Sequence, residues 1–331
     1  MTHRPPSPSA AAPLSRRQML TWATTGPWVL GGCTPPAPPL RIGAHVWPGY
    51  ELLYLSQTQG WLDARQVRLI EVPSASASLR ALSSQTMEGA GLTLDELLTA
   101  RERGVRLTVV AVVDVSNGAD VVLAQPGLRT VQTLLGKRIG VEASATGAVM
   151  LDALLTRHHM ALEDVQPVPL SIDEHAQAFL TGQIDAVVTY EPVRTQLLKA
   201  GALPLFSSAE VPGLIIDVLA LRPEQLATHT EAARHLVAAH FKALAAWRTR
   251  PEQCAPHMAA RLRLRPQEVP AAFQDILLPD LAANHRWLAP EHGQLYASAR
   301  HLAQTMLRAG LLQHPADLNG LADDRLLPPA S

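Results

Sequence analysis

The chain has 331 residues, of which 47% are apolar, 17% charged and 4% aromatic. Its 28 lysines and arginines face 29 acids, a formal net charge of −1 without any basic run. That length suits a two-lobed body with a large core, and the charge balance excludes a nucleic-acid binder that works by neutralising phosphates.

The N-terminal segment differs from the rest. Arg4, Arg16 and Arg17 are its basic residues, and the first 32 positions hold no acid. The apolar run from Met19 to Leu30 has the length of a signal h-region and is too short to cross a bilayer as a helix. Gly31 and Gly32 leave room for a peptidase beside Cys33. Charge, apolar run, small residues and cysteine in this order resemble a bacterial lipoprotein signal. Ser15-Arg16-Arg17-Gln18-Met19-Leu20 resembles a twin-arginine export motif. Residues 1–32 are thus expected to be a signal peptide and Cys33 the lipidated residue. Residues 33–39, rich in proline, are expected to form a stiff tether. Loss of the leader leaves 25 basic residues against 29 acids, a net −4. Only Cys254 follows Cys33, so lipidation of Cys33 rules out an intramolecular disulfide. No zinc-type cysteine spacing occurs, and no metal site or cofactor is expected.

From Leu40 the pattern alternates short apolar strands with amphipathic helices. Strands are expected at Leu40–Ala44, Val67–Val72, Ala90–Thr93 and Leu107–Val113. Helices are expected up to Gln59 and Met87, and from Asp95 to Arg103, with Gly60 and Gly104 as stops. The rhythm restarts with strands at Ala119–Ala124, Arg138–Val141, Val165–Leu170 and Ala186–Thr189. Helices are expected at Thr130–Leu135, Thr146–His158, Asp173–Thr181 and Glu191–Ala200. Leu214–Leu221 reads as a last strand. Beyond Pro223 the pattern is helical, clearest at Thr230–Arg248 and Glu291–Ala309. Such alternation predicts an α/β fold with mostly parallel sheets, whose ligands bind at the carboxyl ends of the strands.

Several segments carry a family resemblance over roughly Leu40 to Arg222. Thr130 to Val141 is similar to the "short helix, Gly-Lys, strand" signature of periplasmic solute-binding proteins. Gly182-Gln183-Ile184-Asp185-Ala186 resembles their second-lobe strand entry. Trp47-Pro48-Gly49-Tyr50, Asp114-Val115-Ser116-Asn117-Gly118 and Tyr190-Glu191-Pro192 resemble the nitrate/sulfonate/taurine/thiamine-precursor group. The resemblance implies two Rossmann-like lobes of the type II periplasmic-binding fold, joined by two crossover strands and closing like a clamp. Lobe 1 is expected over 40–117 plus 222–331, lobe 2 over 118–216, with residues 217–221 as a hinge strand. It further implies a monomer without enzymatic activity that captures a small organic nitrogen- or sulfur-containing solute in the inter-lobe cleft and delivers it to an ABC permease driven by a cytoplasmic ATPase. The lipid anchor would hold it on the periplasmic or cell-surface face of a bacterial membrane.

The strand-end loops supply the candidate ligand contacts. His45, Trp47, Tyr50 and Tyr190 offer rings that grip a flat or cationic group. Ser74, Ser76, Thr93, Asn117, Ser144 and Thr146 offer hydroxyl or amide groups, several of them at helix starts where they also serve as caps. Asp114, Glu142 and Glu191 are acids, and the same loops hold Asp95, Asp120, Asp173 and Glu174 against little more than Arg194. An anion site needs donors and cations, so the loops favour a ligand with N–H groups or positive charge, such as an amino-substituted heterocycle. The Asp173-Glu174-His175 run is better explained as a helix start than as a cluster. Two alternatives remain: a receptor for a membrane signalling partner, and a dehydratase-type enzyme with Asp114 or Glu191 as base. A cysteine-based enzyme is disfavoured, because Cys254 falls outside the loops.

Overall fold

A computed structural model of the chain describes Met1 and residues 38–142 and 145–329. The expected leader over residues 2–32, Cys33, the tether over residues 34–37, and Ser144 lie outside the described residues.

The chain first lays down β1 (Leu40–Ala44), α1 (Glu51–Thr58), β2 (Val67–Glu71), α2 (Ala75–Ser83), β3 (Gly89–Thr93), α3 (Leu94–Glu102) and β4 (Thr108–Ser116). It then builds β5 (Val121–Ala124), β6 (Arg138–Val141), α4 (Ala145–Arg157), β7 (Gln166–Pro169), α5 (Ile172–Leu180), β8 (Ala186–Thr189), α6 (Val193–Lys199) and β9 (Leu203–Ser207). It returns with β10 (Ile216–Leu221), α7 (Pro223–Thr228), α8 (Thr230–Thr249), α9 (Pro251–Leu262), α10 (Val269–Ala272), β11 (Ile276–Leu277), α11 (Leu281–Leu288) and α12 (Gln294–Arg308).

Two sheets result. One has six strands in the order β11-β4-β10-β3-β1-β2, the other five in the order β7-β6-β8-β5-β9. Within each sheet the strands of the βαβ units pair in parallel, as in β1 with β2 and β6 with β7. The strands that cross between the sheets pair antiparallel, as in β10 with β3 and β5 with β8. Both sheets are therefore mixed, because a strand entering from the other lobe arrives with reversed direction.

Burial explains the composition. Every residue of β4 and of β10 is buried, so both strands read as continuous apolar runs rather than alternating ones. α12 buries Leu295, Ala299, Leu302, Ala303 and Met306, one stripe at helical spacing. β9 escapes the periodic pattern because Pro204 interrupts it. The strand sits at a sheet edge, where a missing N–H is tolerated.

The crossings are short. β4 passes into β5 through residues 117–120, and the second sheet returns to β10 through residues 211–215. Residues 217–221, expected as a hinge strand, lie in β10, which pairs on both sides within the first sheet. A pair of buried hydroxyls joins the two crossings. Ser116 Oγ lies 2.7 Å from Ser208 Oγ, which accepts from the Gly118 N–H at 2.7 Å. Gly118 has φ +120°, a backbone conformation that side chains resist.

One helix is held to β4 by a single amide. Asn284 of α11 is fully buried; its Oδ1 accepts from Val112 N at 2.7 Å and its Nδ2 donates to Val112 O at 3.0 Å. Val112 lies where the β4–β10 register shifts, so the side chain supplies bonds that the ladder leaves unmade. Asn284→Ala is expected to destabilise the protein by about 2–3 kcal/mol, since it strands two buried backbone groups. Urea unfolding checks this as a lowered midpoint at unchanged slope.

Candidate functional site

The carboxyl ends of β1, β3, β6 and β8 face one another across the junction of the two sheets, and a cavity of about 30 Å³, measured to the centre of a water-sized sphere, lies between them. His45, Trp47, Ala75, Thr93, Glu96 and Asp217 line it from the first lobe. Glu142, Thr146, Gly147, His175, Val188, Thr189 and Tyr190 line it from the second, and Asp120 from the first crossing. The space admits about two waters.

Acids dominate this junction. Asp95, Glu96, Asp114, Asp120, Glu142 and Asp217 are all buried, and no lysine or arginine lines the cavity among the described residues. Antiparallel pairing sets Asp217 of β10 opposite Asp114 of β4 and opposite Thr93 of β3. Like charges so placed cannot both ionise cheaply. Burial, and then the neighbouring Asp114, drives the Asp217 carboxyl far above the usual carboxylate range. Asp120 is pushed up to about 7, again mainly by burial. Glu142 is raised by burial, against the pull of its hydrogen-bond donors.

Most of these carboxylates have dedicated donors. Trp47 Nε1 donates to Asp114 Oδ2 at 2.9 Å, and Tyr50 OH donates to Asp217 Oδ1. Thr146 Oγ1 donates to Asp95 Oδ2 at 2.9 Å and lies 2.8 Å from Thr93 Oγ1. One hydroxyl proton serves one acceptor, so Thr93 donates to Thr146 in this chain. The Thr93 backbone N–H donates to Glu96 Oε2 at 3.1 Å. Ser76 Oγ reaches Glu142 Oε1 at 3.2 Å, and Tyr190 OH reaches Glu142 Oε2 at 3.5 Å. The Ser76–Glu142 and Thr93–Thr146 bonds span the two lobes and hold them together.

The rings form a second layer. Trp47 and Tyr190 meet edge to face at 5.5 Å, and His45 lies 5.8 Å from Tyr190 and 5.3 Å from Tyr50. Burial, then the charge of Arg261, lowers His45 to about 4, so the ring is neutral near pH 7. Close packing here demands glycine. A Cβ on Gly49 would fall 1.8 Å from Asp114 Oδ2, and one on Gly91 would fall 2.7 Å from the Tyr50 ring.

Of the sequence candidates, His45, Trp47, Thr93, Glu142, Thr146 and Tyr190 line the cavity. Tyr50, Ser76 and Asp114 stand directly behind it and bind residues named above. Ser74 caps α2 by accepting from Ala77 N. Asn117 is exposed at the crossing, its N–H given to Asp275 O at 2.8 Å. Glu191 turns onto its own helix: it accepts from Thr195 Oγ1 at 2.9 Å and pairs with Arg194 at 3.2 Å. Among the lining residues outside the sequence candidates are Glu96, Thr189 and Asp217, together with Asp120, counted there only among the loop acids, and His175, read there as part of a helix start. The signal for Asp217 was an acid inside the apolar run Ile215-Ile216-Asp217-Val218-Leu219, which no solvent-facing alternation explains.

Comparison with known proteins places this geometry. A family model described as NMT1/THI5 like matches residues 47–254. A binding protein of Brucella abortus (strain 2308) is 35% identical over 75 residues, 23% of this chain and 24% of that protein. The chain thus matches about a quarter of that curated relative's length. The alkanesulfonate-binding protein SsuA from Xanthomonas axonopodis pv. citri, solved bound to MOPS, has a TM-score of 0.74 at 19% identity, over 87% of this chain and 99% of its own. The ligand-binding component of an ABC-type import system from Staphylococcus aureus, solved with zinc bound, has a TM-score of 0.73 at 17% identity, over 89% and 99%. At such identities these two structures establish the periplasmic-binding-protein fold. With more than half of its length matched by the family model, the chain belongs to the NMT1/THI5-like family.

Proposed function

We propose that the protein is an extracytoplasmic solute-binding lipoprotein that captures a small amino-bearing or cationic nitrogen compound and delivers it to an ABC permease. The observation that carries this reading is the cavity wall: four carboxylates line it and, among the described residues, no lysine or arginine does. A sulfonate, which the Xanthomonas protein's name gives as its ligand, would meet acceptors here where it needs donors. An ammonium or amidinium group would offset the charge that burial makes costly for these acids. The Trp47 and Tyr190 rings suit the flat face of a heterocycle or the charge of an amine.

The tether completes the reading. Lipidation at Cys33 would keep the receptor beside its membrane partner. The catalytic alternative has less support, because Glu191 serves α6 and Asp114 stands behind Trp47 rather than at the cavity. The signalling alternative draws on no distinguishing feature of the site.

Three outcomes test these points. In calorimetry, amines and aminopyrimidines are expected to bind and alkanesulfonates to remain silent. Asp120→Asn should weaken amine binding about 10- to 100-fold, the scale of one charged hydrogen bond. Tight sulfonate binding with silence from the nitrogen compounds would sink the proposal.

The unliganded protein should also lose stability between pH 6.5 and 8. Asp120, raised from 3.8 to about 7, binds more protons folded than unfolded, so its contribution is present at low pH and disappears as pH rises through 7. His45, His175 and His240, lowered from 6.5 to about 4, act oppositely, with an effect that fades only about one pH unit above 6.5. Over this window Asp114, raised to about 7, and Glu96, raised to about 8, add to the loss and outweigh the histidines, for a net loss of about 1–3 kcal/mol. Denaturant titrations at both pH values measure it, and Asp120→Asn should reduce the slope.

Finally, Cys33→Ser is expected to release the protein from membranes while solute affinity is kept. Fractionation and calorimetry on the same preparation read both, and a membrane-bound Cys33→Ser protein would refute the anchor.

A further inference from the structure

Two ion pairs join the lobes, and both start from one helix. Among the described residues every other ion pair stays within a lobe. α6 belongs to the second lobe, where Val193 and Leu197 share a core with Val121, Leu123 and Phe179. The stretch 265–275 belongs to the first. Its Phe273 ring lies 4.3 Å from Trp247 of α8, and it runs into β11, where Ile276 pairs with Ser116 of β4. Arg194, in the first turn of α6, reaches Asp275 Oδ2 at 2.6 Å. Lys199, in the last turn, reaches Glu268 Oε1 at 2.8 Å.

The first-lobe acids are held in place by their own neighbours. Glu268 accepts from the Arg265 backbone N–H and from Arg265 Nη2, each at 2.9 Å. Arg265 and then Lys199 hold its carboxyl well below the usual carboxylate range. Asp275 sits against the first crossing: its carbonyl accepts from Asn117 N at 2.8 Å, and a Cβ on Gly118 would lie 3.4 Å from the Asp275 Cβ. An acceptor oriented in advance loses less side-chain freedom when the cation arrives. None of the four charged groups lines the cavity, so a solute seated there does not compete with them. The hydroxyl contacts between the lobes differ in this respect, because Glu142, Thr93 and Thr146 are cavity residues.

We propose that α6 and the 265–275 stretch form an electrostatic clasp, Arg194 on Asp275 and Lys199 on Glu268, that favours the closed arrangement of the lobes in the absence of solute. The clasp acts whatever the cavity holds, so it does not depend on the identity of the solute. It raises the closed population, and with it the affinity for every solute that binds that form, by one common factor, and leaves selectivity unchanged. Salt in the medium sets its strength. Lys199 is 60% exposed, and the screening length falls from about 10 Å at 0.1 M salt to about 3 Å at 1 M.

The test reads the lobe arrangement with no solute present. Nitroxide labels at Gln57→Cys of α1 and Gln177→Cys of α5, both exposed positions, report the distance between the lobes by pulsed dipolar spectroscopy. Cys33→Ser keeps the leader cysteine from taking label, and Cys254 is buried. Raising sodium chloride from about 0.1 M to about 1 M is expected to enlarge the longer-distance population about 2- to 5-fold, the scale of a partly exposed ion pair. Lys199→Glu and Glu268→Lys should each do the same at low salt, and the two combined should return most of the original distribution. A distribution that ignores salt, single charge reversals that leave it unchanged, or a combined variant as open as either single one overturns the clasp. If a charge reversal does not fold, an unchanged low-salt distribution in Lys199→Gln overturns it equally.

Discussion

Six carboxylates buried at a junction whose cavity no lysine or arginine lines among the described residues are the constraint to which the site is built. Removing an ionised carboxylate from water is far more costly than neutralising it, so these groups hold protons or gather donors. The indole of Trp47, the phenols of Tyr50 and Tyr190, and the hydroxyls of Ser76, Thr93 and Thr146 are placed to supply those donors. Even Gly49 follows from it, because the Asp114 carboxylate occupies the space a side chain would need.

The same constraint ties closure to occupancy. In the closed form the two lobes satisfy their acids with each other's hydroxyls, Ser76 against Glu142 and Thr93 against Thr146. A solute that carries its own donors competes with these bonds rather than adding to an empty shell. Asp120 belongs to both the crossing and the cavity wall, so contact with it is felt at the hinge. In the receptor proposed above, selectivity and motion would share one set of acceptors.

Much of this was legible in the sequence, for identifiable reasons. β1, β6 and β8 occupy the positions expected from their apolar runs, because buried parallel strands tolerate little polarity. The loops that follow such strands had to carry the ligand contacts, and His45, Trp47, Thr93, Glu142, Thr146 and Tyr190 come from those loops. β9 was hidden by Pro204, whose missing N–H costs nothing at a sheet edge. Glu191 and Ser74, which have the residue types of ligand contacts, also satisfy the first turns of their own helices, as free N–H groups require.

By itself the sequence determined the alternation of strands and helices, the family, and the acid-rich character of the loops, since all three depend on local order along the chain. Only the tertiary structure decided which acids share one cavity. Asp217 meets Asp114 through antiparallel pairing of strands about 100 residues apart in sequence, and Glu96 faces inward because the β3–α3 turn directs it there. His175, which reads locally as part of a helix start, becomes a cavity wall because α5 packs on the end of β8. Periodicity reports which face of an element is buried, whereas the partners it meets there depend on pairings made across the whole chain.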